Sequence, residues 1–207
     1  RYPPPPANAV HDFTVVGSRA AQGWRPVGNL RAGQPLYTDG GPAISRFASR
    51  LSDCDWIQTA RSDAGNPDVS ARFRVEDHTL VYLALDHRIE ELPDWMDPTL
   101  WVPSRGWTLS TTESDDDAFF LWQRRYLPGE TVELGPNPRL PDGQPAAMYT
   151  AIIRSVRAAF TLQSEEQDNA APFISREESG YTGSGYIDLA GSGLDSFSFF
   201  FEVGVGA

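Results

Sequence analysis

The sequence predicts an all-β protein: an antiparallel, jelly-roll-like β-sandwich followed by an incomplete C-terminal β-segment. Three observations predict it. Short β-branched and aromatic segments recur along the chain, with glycine and proline between them. Two of these segments carry strand periodicity. In Ser70–Val75, Ala71, Phe73 and Val75 share one face and Ser70, Arg72 and Arg74 the other, as in a half-buried strand. Thr79–Leu85 is apolar on both faces, as in a central strand covered from both sides. Helix-compatible stretches are confined to Ala43–Arg50 and Pro93–Leu100, and both are short.

Taken in order, residues 1–10 form a proline-rich arm, in which Pro3–Pro6 favours a stiff polyproline II conformation that donates nothing to a sheet. Residues 11–157 form the sandwich. His11–Gly17 is β-branched and ends on glycine, so it reads as the first strand. Trp24–Leu30 and Gln34–Tyr37 follow, separated by Gly23 and Gly33 and closed by the Gly40-Gly41-Pro42 turn. Asp55–Thr59 and Val69–Val75 flank the turn-rich Ser62–Asp68. Then come Thr79–Leu85, Ala118–Arg125, Glu130–Leu134 and Met148–Arg154. Alternating β and α units do not fit this spacing; an antiparallel sandwich does.

Residues 158–207 differ. A polar stretch, Ser164–Ala171, precedes a strand at Pro172–Arg176, a glycine-rich run at Gly180–Tyr186 and a strongly apolar end. There Phe197, Phe199, Phe201, Val203 and Val205 fall on one face. Groups of that size each gain roughly 1.5–3 kcal/mol on burial, so the sequence expects them covered. Fifty residues with three or four strands do not close a sandwich of about seven strands. Either this segment completes the first domain or something outside the chain covers it.

Composition narrows the classes of partner. Of 207 residues, 28 are acidic and 17 basic, giving a net charge of −11, and every basic residue is arginine. Nucleic acid and anionic membranes reward clustered cations, so neither is expected as a partner. No apolar run reaches the roughly 18–20 residues of a membrane helix, and the start RYPPPP does not read as a signal peptide. A lone cysteine, Cys54, allows no internal disulfide and reads as a buried thiol.

No catalytic constellation is legible. His11, His78 and His87 lie in separate segments without metal-ligand spacing, and no Gly-x-Ser-x-Gly elbow occurs. Gly180–Gly185 lacks the lysine and helix of a phosphate cradle and reads as a plain turn. The sequence therefore reads as non-enzymatic. The acidic run Glu113–Asp117 reads as a loop that is either solvated or able to hold calcium through Glu113, Asp115 and Asp117. Trp95, Trp101 and Trp107 fall within thirteen residues of a stretch stiffened by Pro93, Pro98 and Pro103. Presented on loops, their flat faces would suit sugar rings or a protein partner; otherwise they cover the end of the sandwich.

Residues 29–154 resemble an accessory β-sandwich module of secreted bacterial proteins, often found beside polysaccharide lyases and other carbohydrate-active enzymes. The matching stretches are Asn29–Asp39, Trp56–Asp63, Val81–Arg88, Leu92–Met96, Gly106–Thr108, Tyr126–Asn137 and Met148–Thr150. The sequence departs from that pattern in a longer loop at Pro98–Arg105 and in having no lysine near Thr59–Asp63. Gln163–Glu166 and Gly180–Asp188 are similar to the opening of a second carbohydrate-binding sandwich. The resemblance implies a non-catalytic, extracellular or cell-surface module that binds a polysaccharide or attached glycan. In it Trp95, Trp101 and Trp107 would stack on sugar rings, and Asp86, Arg88 and Arg105 would supply hydrogen bonds. The alternative is a filament or surface-layer subunit, its Phe197–Val205 strand completed by another copy through strand addition.

Overall fold

The computed structural model describes residues 7–156, 174–177, 180–187 and 197–204. The chain divides into two compact units, Arg1–Arg157 and Ala158–Ala207. The first holds ten strands: β1 (His11–Val16), β2 (Arg25–Val27), β3 (Ile44–Phe47), β4 (Asp55–Gln58), β5 (Ser70–Arg74), β6 (Thr79–Asp86), β7 (Val102–Thr111), β8 (Ser114–Tyr126), β9 (Thr131–Leu134) and β10 (Thr150–Ser155).

They form two antiparallel sheets, one of three strands in the order β1-β5-β9 and one of seven in the order β2-β4-β10-β6-β8-β7-β3. The all-β sandwich class is therefore what the structure has. The small sheet keeps one wet and one dry face. Ala71 pairs with Leu134 and Phe73 with Val132, all buried, whereas Arg72 opposes Glu133 on the exposed side. In the large sheet every residue of β6 is buried. This is the doubly covered strand that its two apolar faces predict.

One face of the large sheet, carrying Ile57, Val81, Leu83, Leu85, Ala151 and Ile153, meets the small sheet. Two contacts on that face establish it: the Tyr149 hydroxyl donates to the Gly135 carbonyl just past β9, and the Asp55 carboxylate accepts the N–H groups of Asn8 and Ala9 leading into β1. The opposite face carries Trp56, Gln58, Tyr82 and Ile152. There the Gln58 amide donates to the carbonyls of Pro35 and Tyr37, and Leu30, Leu36, Ile44 and Leu51 are fully buried.

Two short elements differ from the sequence reading. Where a helix was compatible at Ala43–Arg50, Ile44–Phe47 is an edge strand paired to β7, followed by a 3-10 turn at Ser49–Leu51. The stretch from Val102, read as a proline-stiffened loop, is strand β7; Pro103 and Gly106 sit where its register with β8 slips, since proline has no N–H for the ladder. Residues 93–100 form turns, not a helix. Cys54 is the buried free thiol the sequence expects, and burial pushes its pKa up to about 11.

The second unit shows three antiparallel strands, β11 (Ile174–Glu177), β12 (Gly180–Ile187) and β13 (Phe197–Gly204), in that order. The glycine-rich run read as a plain turn is thus strand β12. Two of its glycines sit opposite phenylalanines: Gly185 pairs with Phe199 and Gly183 with Phe201, while Gly180 pairs with Gly204, Ile187 with Phe197 and Tyr181 with Val203. Val205 lies outside the described residues.

Buried Asp63 ties the first unit together. Its Oδ2 accepts from the Ser18 hydroxyl at 2.6 Å and the Trp24 indole N–H at 2.9 Å; its Oδ1 accepts from Arg19 N–H at 2.8 Å and Asn66 Nδ2 at 3.2 Å. Burial pushes the carboxyl up, but these four donors outweigh it and hold it below the usual carboxylate range. An amide at this position would place its own donor against the Trp24 N–H, which cannot accept. Asp63→Asn is expected to lower unfolding free energy at pH 7 by about 2–4 kcal/mol in urea denaturation. The sign follows from the depressed pKa: the contribution is full above the unfolded value of about 4 and is lost as pH falls through the folded one. The gap between wild type and variant should narrow on acidification below about pH 4. A second test concerns Gly17, at φ +73°, where an added Cβ would lie 2.2 Å from the Asp68 carbonyl oxygen. Gly17→Ala should cost about 2–4 kcal/mol, against about 1 kcal/mol for Gly33→Ala, whose φ is also positive but whose surroundings are open.

Candidate functional site

Strands β4 and β6 both pair antiparallel to β10, so they run in the same direction and end at the same end of the large sheet. By the same logic β7 ends there, and β8 and β10 begin there. Residues just past those strand ends therefore converge, although they are far apart in sequence. They line a cleft of about 560 Å³, within the range of small-ligand sites. Pro42, Phe119, Pro145 and Met148 give it apolar walls, and Arg61, Asp86, Arg88 and Glu113 bring the charges.

Asp86 closes β6 and is buried, yet fully hydrogen-bonded. Its Oδ2 accepts Arg88 Nη2 at 2.6 Å and Ala147 N–H at 2.7 Å; its Oδ1 accepts Arg88 Nε and Arg88 N–H, both at 3.0 Å. Burial raises the carboxyl pKa, and these bonds overcome that and bring it below the usual range. The same contacts raise the pKa of Arg88, which is half-exposed. Asp86 thereby fixes the loop at Ala147, which forms one wall of the cleft. His87 stands beside it, Nδ1 3.7 Å from Asp86 Oδ1, with its ring edge-on to exposed Phe120 at 6.3 Å.

Across the cleft, Arg61 makes a two-point pair with Glu113, Nη1 to Oε1 at 2.9 Å and Nη2 to Oε2 at 3.3 Å. Both side chains are about half exposed, at 54%. The backbone beneath Arg61 is held by Asp39, whose carboxylate accepts the N–H groups of Arg61 and Ser62. Burial pushes Asp39 up, and hydrogen bonds from the Ser62 side chain and from these N–H groups bring it below the usual range. Tyr37 lies in the wall, its hydroxyl donating to the Met148 carbonyl at 2.9 Å, and burial raises its pKa far above that of a free phenol.

Of the residues singled out in the sequence, the cleft gathers Asp86, Arg88 and Glu113. The tryptophans are elsewhere and engaged. Trp101 is 1% exposed and packs edge-on against Tyr126, so it presents no face to a sugar. Trp107 is stacked on Tyr82 at 5.5 Å, with the Arg50 guanidinium 5.9 Å from its ring. Trp95 is half-buried; its indole donates to the Pro136 carbonyl, and its ring packs on Gly135 and tilts against Tyr149. Trp101 thus takes the covering role that the sequence offered as the alternative reading, while Trp95 and Trp107 are half-buried. The side chain of Arg105 lies outside the described residues.

Glu113 faces Arg61 and not a ring of carboxylates. Residues 114–117, read as loop, begin strand β8, and the side chains of Asp115 and Asp117 lie outside the described residues. Among the described residues no three His, Cys, Asp or Glu side chains gather as a metal site. Sequence reasoning missed Arg61, His87 and Tyr37. Arg61 follows the Asp55–Thr59 strand as Asp86 follows Thr79–Leu85, but that parallel carries meaning only once β10 is known to lie between the two strands.

Compared by sequence, the chain matches no protein-family model and none of the curated proteins. By fold it is similar to part of a β-glucuronidase from glycoside hydrolase family 2, with a TM-score of 0.58 and 16% identity over 73% of this chain and 15% of that one. It also aligns with a GH138 enzyme targeting pectin rhamnogalacturonan II, at a TM-score of 0.40 and 10% identity, over 73% of this chain and 17% of the enzyme. The aligned region spans about a sixth of either enzyme's length. What the first likeness shows is the fold.

Because Arg61 and Glu113 are half-exposed, their pair adds little to stability. A double-mutant cycle of Arg61→Ala and Glu113→Ala should return a coupling below about 1 kcal/mol, with both single variants folded by NMR. A larger coupling would make the pair a structural clamp instead of a cleft surface.

Proposed function

We propose that residues 7–156 form a non-catalytic, carbohydrate-associated β-sandwich module of an extracellular protein, and that the cleft at the ends of β4, β6 and β7 takes a saccharide. The observation that carries this reading is the convergence of two guanidinium–carboxylate pairs, Arg61–Glu113 and Asp86–Arg88, on one partly apolar cleft. Each pair sets donors beside acceptors, as adjacent sugar hydroxyls require, while the apolar walls suit the CH faces of a ring. The likeness to a domain-sized part of a β-glucuronidase supports the carbohydrate context. Stacking by Trp95, Trp101 and Trp107 has no part in it.

A second reading concerns residues 158–207. Among the described residues β13 pairs with β12 alone, which leaves an edge suited to strand addition by another copy. Sedimentation of the whole chain checks that reading: concentration-dependent assembly supports it, and a strict monomer removes it.

For the cleft, a panel of oligosaccharides should be titrated into the ¹⁵N-labelled chain. Shifts are expected at Arg61, Asp86, His87, Arg88 and Ala147, and Arg61→Ala should weaken binding at least about tenfold. Shifts confined to the surroundings of Trp107, or an Arg61→Ala variant that binds as well as wild type, would count against this site.

A further inference from the structure

We propose that the cleft selects an uncharged pyranose and discriminates against the corresponding uronate. The inference rests on the saccharide reading above and adds to it the class of sugar.

The cleft is lined by two arginines and two aspartate or glutamate side chains, and each carboxylate is held by a guanidinium at two points. A sugar carboxylate gains most from an arginine whose fork is open to it. Each guanidinium here already gives one edge to a protein carboxylate. Arg88 gives Nε and Nη2 to Asp86, and Asp86 cannot yield them, because it is 3% exposed and also holds the Ala147 N–H. A uronate that displaced Asp86 would leave a buried carboxylate without its cation, and one bound to the remaining Arg88 N–H groups would stand beside that carboxylate, where like charges repel.

Arg61 is the other candidate, and there the obstacle is Glu113. Its pair with Arg61 is half-exposed and individually weak, so it could open. Opening it, however, leaves the Glu113 carboxylate beside the incoming one, and like charges at contact distance repel. The chain's net charge of −11 adds a long-range term of the same sign. A neutral hydroxyl meets none of these costs. The Arg61 guanidinium has five N–H donors, of which two go to Glu113, and the Glu113 oxygens keep lone pairs for a hydroxyl hydrogen. An intact ion pair can thus donate to one sugar oxygen and accept from its neighbour.

The test uses the full 207-residue chain and matched glycosides: methyl β-glucoside against methyl β-glucuronide, and methyl α-galactoside against methyl α-galacturonide. Each is titrated by NMR at low and high sodium chloride. The neutral member of at least one pair should bind at least about tenfold more tightly than its uronate, with an affinity that moves less than about twofold with salt. Glu113→Gln frees Arg61 without removing it, so the variant should gain uronate affinity at least about fivefold and lose it again at high salt. Equal or tighter binding of the uronate by wild type, or a Glu113→Gln variant with unchanged selectivity, overturns the inference and leaves the saccharide reading standing. If no glycoside of either kind shifts the cleft resonances, the saccharide reading falls and the inference falls with it.

Discussion

Four donors from three segments of the chain meet on the carboxylate of Asp63, and the geometry of the candidate site depends on that meeting. Ser18 and Arg19 lie just past β1, Trp24 lies just before β2, and Asn66 belongs to the same turn as Asp63 itself. Asn66 extends the tie by donating to the Gly17 carbonyl. With the turn at 61–66 pinned, Arg61 stands next to Asp39 and its guanidinium reaches Glu113. A buried acid is ordinarily a burden on a fold. Here every lone pair that matters has a donor, so the charge organises the chain instead of destabilising it.

The site repeats that logic one layer nearer the surface. Asp86 is another buried carboxylate whose partners, Arg88 and the Ala147 N–H, turn it into a fixed point. Through it the end of β6 and the loop before β10 hold a constant spacing. Arg61 and Glu113 stand opposite on half-exposed side chains that can respond to a ligand. A rigid wall facing an adjustable one is a sound design for recognising hydroxyls, whose directions vary among sugars more than their chemistry does. The functional reading rests on this arrangement and not on the resemblance of the fold, which many unrelated functions share.

Much of the framework was legible because burial leaves a plain pattern. Thr79–Leu85 is apolar at every other residue on both faces, and nothing but a covered central strand satisfies that. Ser70–Val75 was equally plain. Edge and irregular strands were harder. Ile44–Phe47 carries Ser45 and Arg46, and Val102–Thr111 contains Pro103 and Gly106; only pairing partners make strands of such sequences. The glycines of β12 had the same effect, since glycine in a strand looks like a turn until its partner is seen. For the site, Asp86 and Arg88 entered as hydrogen-bonding groups implied by the resemblance to a carbohydrate-associated module. The tryptophans carried two readings, and Trp101, buried and edge-on to Tyr126, takes the covering one. Arg61 carried no local mark, because its role comes from strand order.

The span of chain that builds the cleft has a consequence for how the protein comes into being. The Tyr37 hydroxyl and the Met148 carbonyl that share one wall are 111 residues apart in sequence, and Arg61 and Glu113 are 52 apart. No early, local event in folding can produce that cavity. Contacts of such long range belong to slow topologies, where loop closure is settled before the contacts repay it. A nascent or partly folded chain therefore holds strands and turns but no cleft. A ligand of the cleft would therefore meet only molecules that have finished folding, and its occupancy would report maturity.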